Sequence, residues 1–177
     1  MRKYIAFVMV MLCAVVMVSG CVTDNKNTNE TKTYSQNNIT FTYPGSWNIA
    51  NPTAQNSVAA VADPNSVQSG NPTTSVLIQK PNATKGTNIS NVYSSNYATF
   101  FNNTGYQRVS EGNITVNGSD ALENVYQDNS TGNPKQYRAV WLNENGTIYV
   151  ILCIATVKDY ANEQTNFNMI INSFRAQ

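Results

Sequence analysis

The sequence predicts an α+β domain: a mainly antiparallel β-sheet with helices on both faces, an α/β/α sandwich. Three observations carry that prediction. Asn117-Gly118 and Asn145-Gly146 each stand between β-compatible runs, the short-range signal of a two-residue hairpin, so adjacent strands pair antiparallel. Two other segments switch to a helical period with one apolar stripe each. The run Ile148 to Ala155 is apolar at Ile148, Val150, Leu152 and Ile154 and again at Ile151, Cys153 and Ala155. A strand apolar on both sides is expected to be covered on both sides. Helices on one side only is the alternative arrangement.

The elements follow in chain order. Arg2 and Lys3 precede an apolar stretch of 15 residues, Tyr4 to Val18, with the proportions of a secretory leader. Val18, Ser19, Gly20 and Cys21 then supply an aliphatic residue, two small residues and a cysteine. This resembles the lipobox of lipoproteins, whose cysteine is lipid-modified and becomes the new N-terminus. An uncleaved signal anchor is the other reading, because Tyr4 to Val22 is 19 residues and nearly long enough to span a bilayer. Either way the rest of the chain is delivered outside the cytoplasm and moored to the membrane. From Val22 to Thr33 there is no aromatic residue and a single aliphatic one, too little apolar surface to offset the entropy of ordering the segment. The expected organisation is therefore a signal peptide over 1–20, a lipidated Cys21 with flexible spacer over 21–33, and one domain over 34–177.

Within the domain, Ile39 to Tyr43 alternates as a strand, stops at Pro44-Gly45 and resumes as an extended segment at Trp47 to Ile49. Ser57 to Ala62 and Thr74 to Lys80 read as strands on either side of a loop rich in Pro, Asn and Ser. Ser90 is the expected cap of a first helix with Tyr93, Tyr97, Phe100 and Phe101 on one face and Gly105 at its end. Asp159 is the expected cap of a second, striped by Tyr160, Phe167, Ile170, Ile171 and Phe174. Cys13 lies in the leader and Cys21 is the lipid site, so Cys153 remains alone and no intrachain disulfide is available. Its apolar neighbours predict a buried, unreactive thiol.

Ile39-Thr40-Phe41-Thr42-Tyr43-Pro44-Gly45-Ser46-Trp47 resembles the opening strand and Tyr-Pro-x-x-Trp turn of PsbP-like domains, and Ile170-Ile171-Asn172-Ser173-Phe174 is similar to the end of that family's last helix. The likeness frames the chain from Tyr34 onward and implies an α/β/α sandwich around an antiparallel sheet. Plant and cyanobacterial members of the family are extrinsic lumenal proteins that support the oxygen-evolving side of photosystem II and its calcium and chloride requirement. A structural relative binds the small GTPase Ran, and many prokaryotic members are lipoproteins without an assigned role. A shared fold does not carry function with it.

The 177 residues include no histidine, which removes the Ser-His-Asp and Cys-His arrangements and the commonest zinc ligand together. With 11 basic and 10 acidic residues the formal charge is only +1, so nucleic acid is not an expected partner. Glu111, Asp120, Glu123, Asp128 and Glu144 are the acids available to a carboxylate-pair hydrolase, but nothing in their placement favours one. Asp128 to Asn133 is an oxygen-rich loop that invites calcium, yet Ser130 and Gly132 stand where an EF-hand carries ligands. Neither a metal nor a cofactor is expected, and no residue is assigned a catalytic role. Nine Asn-x-Ser/Thr triplets begin at Asn29, Asn38, Asn82, Asn88, Asn102, Asn113, Asn117, Asn129 and Asn145. They indicate either glycosylation of an exported domain or simply an Asn- and Thr-rich composition. The expected function is binding: an accessory module with an unknown protein or envelope partner, anchored through Cys21 at the outer face of the cytoplasmic membrane. Tyr106, Tyr126 and Tyr137 are the candidate contact residues if they are exposed. An envelope hydrolase, or a small-ligand or calcium-binding module, is the alternative.

Overall fold

The computed structural model describes residues 15–16, 30–52, 54–100 and 105–177, with backbone only at 15–16 and 97–100. Cys21, the leader apart from Val15–Val16, the spacer before Glu30, and Phe101 lie outside the described residues, as do the side chains of Tyr97 and Phe100. Among the described residues no helix is long and apolar enough to cross a membrane.

After the two-residue strand Val15–Val16, which pairs antiparallel with Asn51–Pro52, come β1 (Thr31–Gln36) and β2 (Ile39–Pro44), joined through Asn37 and Asn38, both at positive φ. β1 therefore takes in Thr31 to Thr33, which composition alone assigns to the spacer. These residues need no apolar side chains because backbone pairing with β2 orders them, and only Tyr34 of the strand is buried. After Pro44 the chain turns sharply, with Trp47 N–H donating to the Pro44 carbonyl at 2.9 Å. It then continues as β3 (Asn48–Ile49), β4 (Ser57–Ala62) and β5 (Ser75–Gln79). Helix α1 (Ile89–Phe100) follows, then four long strands: β6 (Tyr106–Val116), β7 (Ser119–Asp128), β8 (Lys135–Glu144) and β9 (Thr147–Thr156). Helix α2 (Gln164–Ser173) and the short β10 (Arg175–Ala176) close the chain.

The main sheet has seven strands in the order β6-β7-β8-β9-β5-β4-β3, every pair antiparallel. A second sheet of three strands has the order β10-β2-β1. Asn117-Gly118 and Asn145-Gly146 hold the expected hairpin turns, all four residues at positive φ, and set Val116 opposite Ser119 and Glu144 opposite Thr147. Register then gives the molecule two ends. The turn end carries residues 37–38, 117–118, 145–146 and the C-terminus. The opposite end carries Glu30, the loop 63–74, the loop 129–134 and the turns 157–163.

Every residue from Ile148 to Thr156 is buried, and alternate residues enter two apolar clusters. Tyr149, Ile151, Cys153 and Ala155 join Phe41, Trp47, Phe167, Ile170, Ile171 and Phe174. Ile148, Val150, Leu152 and Ile154 join Tyr126, Tyr137 and Trp141, against which Ile89, Val92 and Tyr93 of α1 pack.

Both helix starts differ from the sequence expectation. Asn88 caps α1, its Oδ1 accepting from Ser90 N–H at 2.8 Å, so Ser90 is the second helical residue and not the cap. The second helix starts later than Asp159. That residue is spent on the turn leaving β9, where its Oδ2 accepts from Thr156 Oγ1 at 2.5 Å and its N–H donates to the Thr156 carbonyl at 3.0 Å. Successive turns carry the chain to Glu163, whose carbonyl accepts from Phe167 N–H.

Candidate functional site

The fold brings Tyr106, Tyr126 and Tyr137 together across three adjacent strands. Tyr126 and Tyr137 are register partners, and their rings stack at 4.8 Å with an interplanar angle of 8°. The ring of Tyr106 meets Tyr126 edge-on at 5.9 Å. This is a cross-strand aromatic ladder, but not an exposed one. Tyr126 and Tyr137 are 4% and 5% exposed and Tyr106 is half-buried, because the ladder lies on the face that also carries Trp141, Leu152 and Ile154. A contact surface built on the first two is thereby corrected to a structural ladder.

The five acids are dispersed. Glu111 stands opposite Asn124 and so shares the α1-side face with Asp120 and Asp128, each four positions from Asn124 along β7. Glu123, on the other face, stands opposite Val140, four positions from Glu144. At roughly 3.3 Å per residue, same-face acids are about 13 Å apart along the strands. That is wider than the roughly 5–9.5 Å between the carboxyl groups of glycosidase pairs. Among the described residues no three of His, Cys, Asp and Glu gather closely enough to hold a metal ion.

The Asp128 loop folds on itself. Asp128 Oδ1 accepts from Ser130 N–H at 2.9 Å and Ser130 Oγ at 2.6 Å, and Thr131 Oγ1 donates to the Asn133 carbonyl at 3.1 Å. Asn133 Nδ2 reaches across to Gln68 Oε1 at 2.8 Å. The loop's oxygens thus serve local turn bonds, and its Asn133 amide nitrogen clasps the 63–74 loop.

Sequence reading missed a polar bracket beneath α2. Arg138 donates through Nε to Glu123 Oε1 at 2.6 Å and through Nη1 to Asn168 Oδ1 at 2.6 Å, tying the helix to β7 and β8. Strand parity placing Glu123 and Arg138 on one face was the available signal, but it needed the register across the 129–134 loop, which no short turn motif fixes. Cys153 lies against this bracket, fully buried, and burial pushes its thiol up to about 12, with Arg138 pulling the other way. It is an apolar space-filler at neutral pH.

Among the described strands of the main sheet, β6 is the longest, at 11 residues. It stands at the margin of the main sheet, paired on one side with β7 and with no strand on its other side among the described residues. Gln107 to Asn113 are exposed whichever face they point to, and Val109 is 51% exposed where the register slips between Arg108 and Ser110.

Comparison with known proteins agrees with this architecture. No curated protein matches the chain in sequence. Among solved structures, the chain is similar to the solution structure of cyanobacterial PsbP (CyanoP) from Synechocystis sp. PCC 6803. The TM-score is 0.63 at 10% identity, covering 90% of this chain and 99% of that one. It is also similar to LpqN of Mycobacterium tuberculosis, described as involved in cell envelope biogenesis, with a TM-score of 0.57 at 12% identity over 82% of this chain and 90% of that one. Identities this low show the fold alone. The sequence profile of the family described as PsbP-like protein matches residues 18–176, nearly the whole chain, and the chain belongs to the PsbP-like family.

Proposed function

We propose that this chain is a partner-binding accessory module of the cell envelope, held at the outer face of the cytoplasmic membrane by a lipidated Cys21 and without catalytic activity of its own. The observation that carries the binding half is β6. A long marginal strand with exposed faces and accessible backbone is a template for another chain's strand. The bulge at Val109 and the charges of Arg108 and Glu111 discourage indiscriminate edge pairing. The anchoring half rests on the basic start, apolar run and Val18-Ser19-Gly20-Cys21 pattern. LpqN, a fold neighbour described as acting in envelope biogenesis, supports the same compartment.

In this reading the two helices cover opposite faces of the main sheet, α1 over the Trp141 side and α2, with the small sheet, over the Cys153 side. The tether also sets a reach. Nine residue steps lead from Cys21 to Glu30, which at roughly 3.5 Å each reach about 30 Å. Glu30 therefore lies within about 30 Å of the anchored cysteine, with the turn end at the other end of β6.

The test is crosslinking in intact cells from a photoreactive residue at Val109, compared with one at exposed Asn172 on α2. A discrete adduct from position 109 alone is expected. Equal adducts from both positions, or none from 109, contradict the edge-strand reading.

A further inference from the structure

Of the nine Asn-x-Ser/Thr triplets, Asn29 and Asn102 lie outside the described residues, and the other seven, taken as undifferentiated in the sequence, fall into two groups in the fold. In one group the asparagine and its Ser/Thr partner are both exposed and the amide nitrogen donates no hydrogen bond among the described residues: Asn82 with Thr84, Asn88 with Ser90, and Asn113 with Thr115. The Oδ1 of Asn88 caps α1, which leaves its Nδ2 outward. In the other group the amide is spent or the hydroxyl residue is half-buried. Asn117 Nδ2 donates to the Phe174 carbonyl at 2.9 Å, Asn145 Nδ2 to the Ala176 carbonyl at 3.1 Å and Asn129 Nδ2 to Gln107 Oε1 at 3.4 Å. Asn38 is followed by a half-buried Thr40.

The available group also shares one place. Asn82 and Asn88 flank the loop that docks on the turn end, where Gly86 N–H donates to the Gly146 carbonyl at 3.2 Å. Asn113 stands opposite Leu122, on the same face of the sheet as α1 and three residues before Val116 ends β6. All three lie at the turn-end corner of the α1 face, far from the point where the chain enters at Glu30.

We propose that this corner is a glycosylated patch, with N-linked glycans at Asn82, Asn88 and Asn113 and none at Asn38, Asn117, Asn129 or Asn145. The inference rests on the extracytoplasmic reading above. In the transfer, Nδ2 bonds to the anomeric carbon of a lipid-phosphate-linked oligosaccharide. The anomeric C–O bond to phosphate breaks, the lipid phosphate departs and the amide proton passes to a base of the transferase. Each of the three amides can enter that reaction without breaking a hydrogen bond that it donates in the folded domain. The glycans would shield the turn-end corner and leave the α2 side bare.

The experiment is glycopeptide mass mapping of the full-length protein from its native membranes, paired with protease shaving of intact cells to locate the domain. Glycan mass at Asn82, Asn88 and Asn113, with Asn38, Asn117, Asn129 and Asn145 bare, is the expected result, and N82Q, N88Q and N113Q each remove one mass step while N117Q removes none. A domain cleaved by shaving but bare at all three sites overturns the glycan patch and leaves the location standing. Glycans found on the Asn117 and Asn145 group overturn it as well. A domain protected from shaving and unmodified overturns both readings together.

Discussion

Gly45 sits where the chain has no room for a side chain. A Cβ there meets the Glu30 carbonyl oxygen at 2.5 Å, the same oxygen that accepts from Gly45 N–H at 2.7 Å. Gly45→Ala must displace β1 or break that bond, so a loss of about 1–3 kcal/mol is expected in urea denaturation. The Ser173 hydroxyl joins the last turn of α2 to β2: it accepts from Thr42 N–H at 2.8 Å and lies 2.7 Å from the Met169 carbonyl. Ser173→Ala leaves that N–H without its partner and is expected to cost about 1–3 kcal/mol, whereas Asn172→Ala next to it, exposed, costs little. Glu163 carries a pH signature. Burial raises its carboxyl above the ordinary value, the Asn166 amide lowers it, and Asp63 and Asp159 raise it further. A raised folded pKa means that the contribution to stability is complete below the unfolded value and is lost as pH rises through the folded one. Wild-type stability should therefore fall over the range just above pH 4.5, and Glu163→Gln should flatten that fall and be the more stable protein at pH 7. A variant that titrates like wild type contradicts the assignment.

At the scale of elements, three tight turns hold the end of the chain. Asn117 and Asn145 donate to the carbonyls of Phe174 and Ala176, and Gln177 N–H donates to the Asn38 carbonyl at 2.9 Å. Replacing both Asn117 and Asn145 by Gly keeps the positive φ but removes both amides. Faster hydrogen exchange at Arg175 to Gln177 is expected, with exchange in β9 unchanged, and exchange at Arg175 to Gln177 equal to that of the wild type would remove the clamp from the account. The hairpins were legible because an Asn-Gly pair specifies its turn by backbone chirality alone. The helix starts were not. Asn88 outcompetes Ser90, and Asp159 is used by the turn out of β9, choices that depend on where the preceding strand ends. The tyrosine ladder was legible as β-strand aromatics but not as buried ones, since its facing side is fixed by a register that passes through a bulge and a six-residue loop.

For the whole molecule, the run Ile148 to Ala155 was the most informative stretch: its two apolar faces demanded two covered faces, and both clusters are present in the fold. The proposed contact surface was much less legible, because an exposed strand that binds through its backbone leaves no constellation of chemical groups to find in a sequence. The proposed placement rests on Arg2, Lys3, the apolar run and Val18 to Cys21. The most direct test is mass spectrometry of the N-terminal peptide from native membranes. The account predicts a chain that begins at Cys21 and carries acyl mass on that residue. A chain that retains residues 1–20, or one that begins elsewhere with Cys21 unmodified, contradicts it.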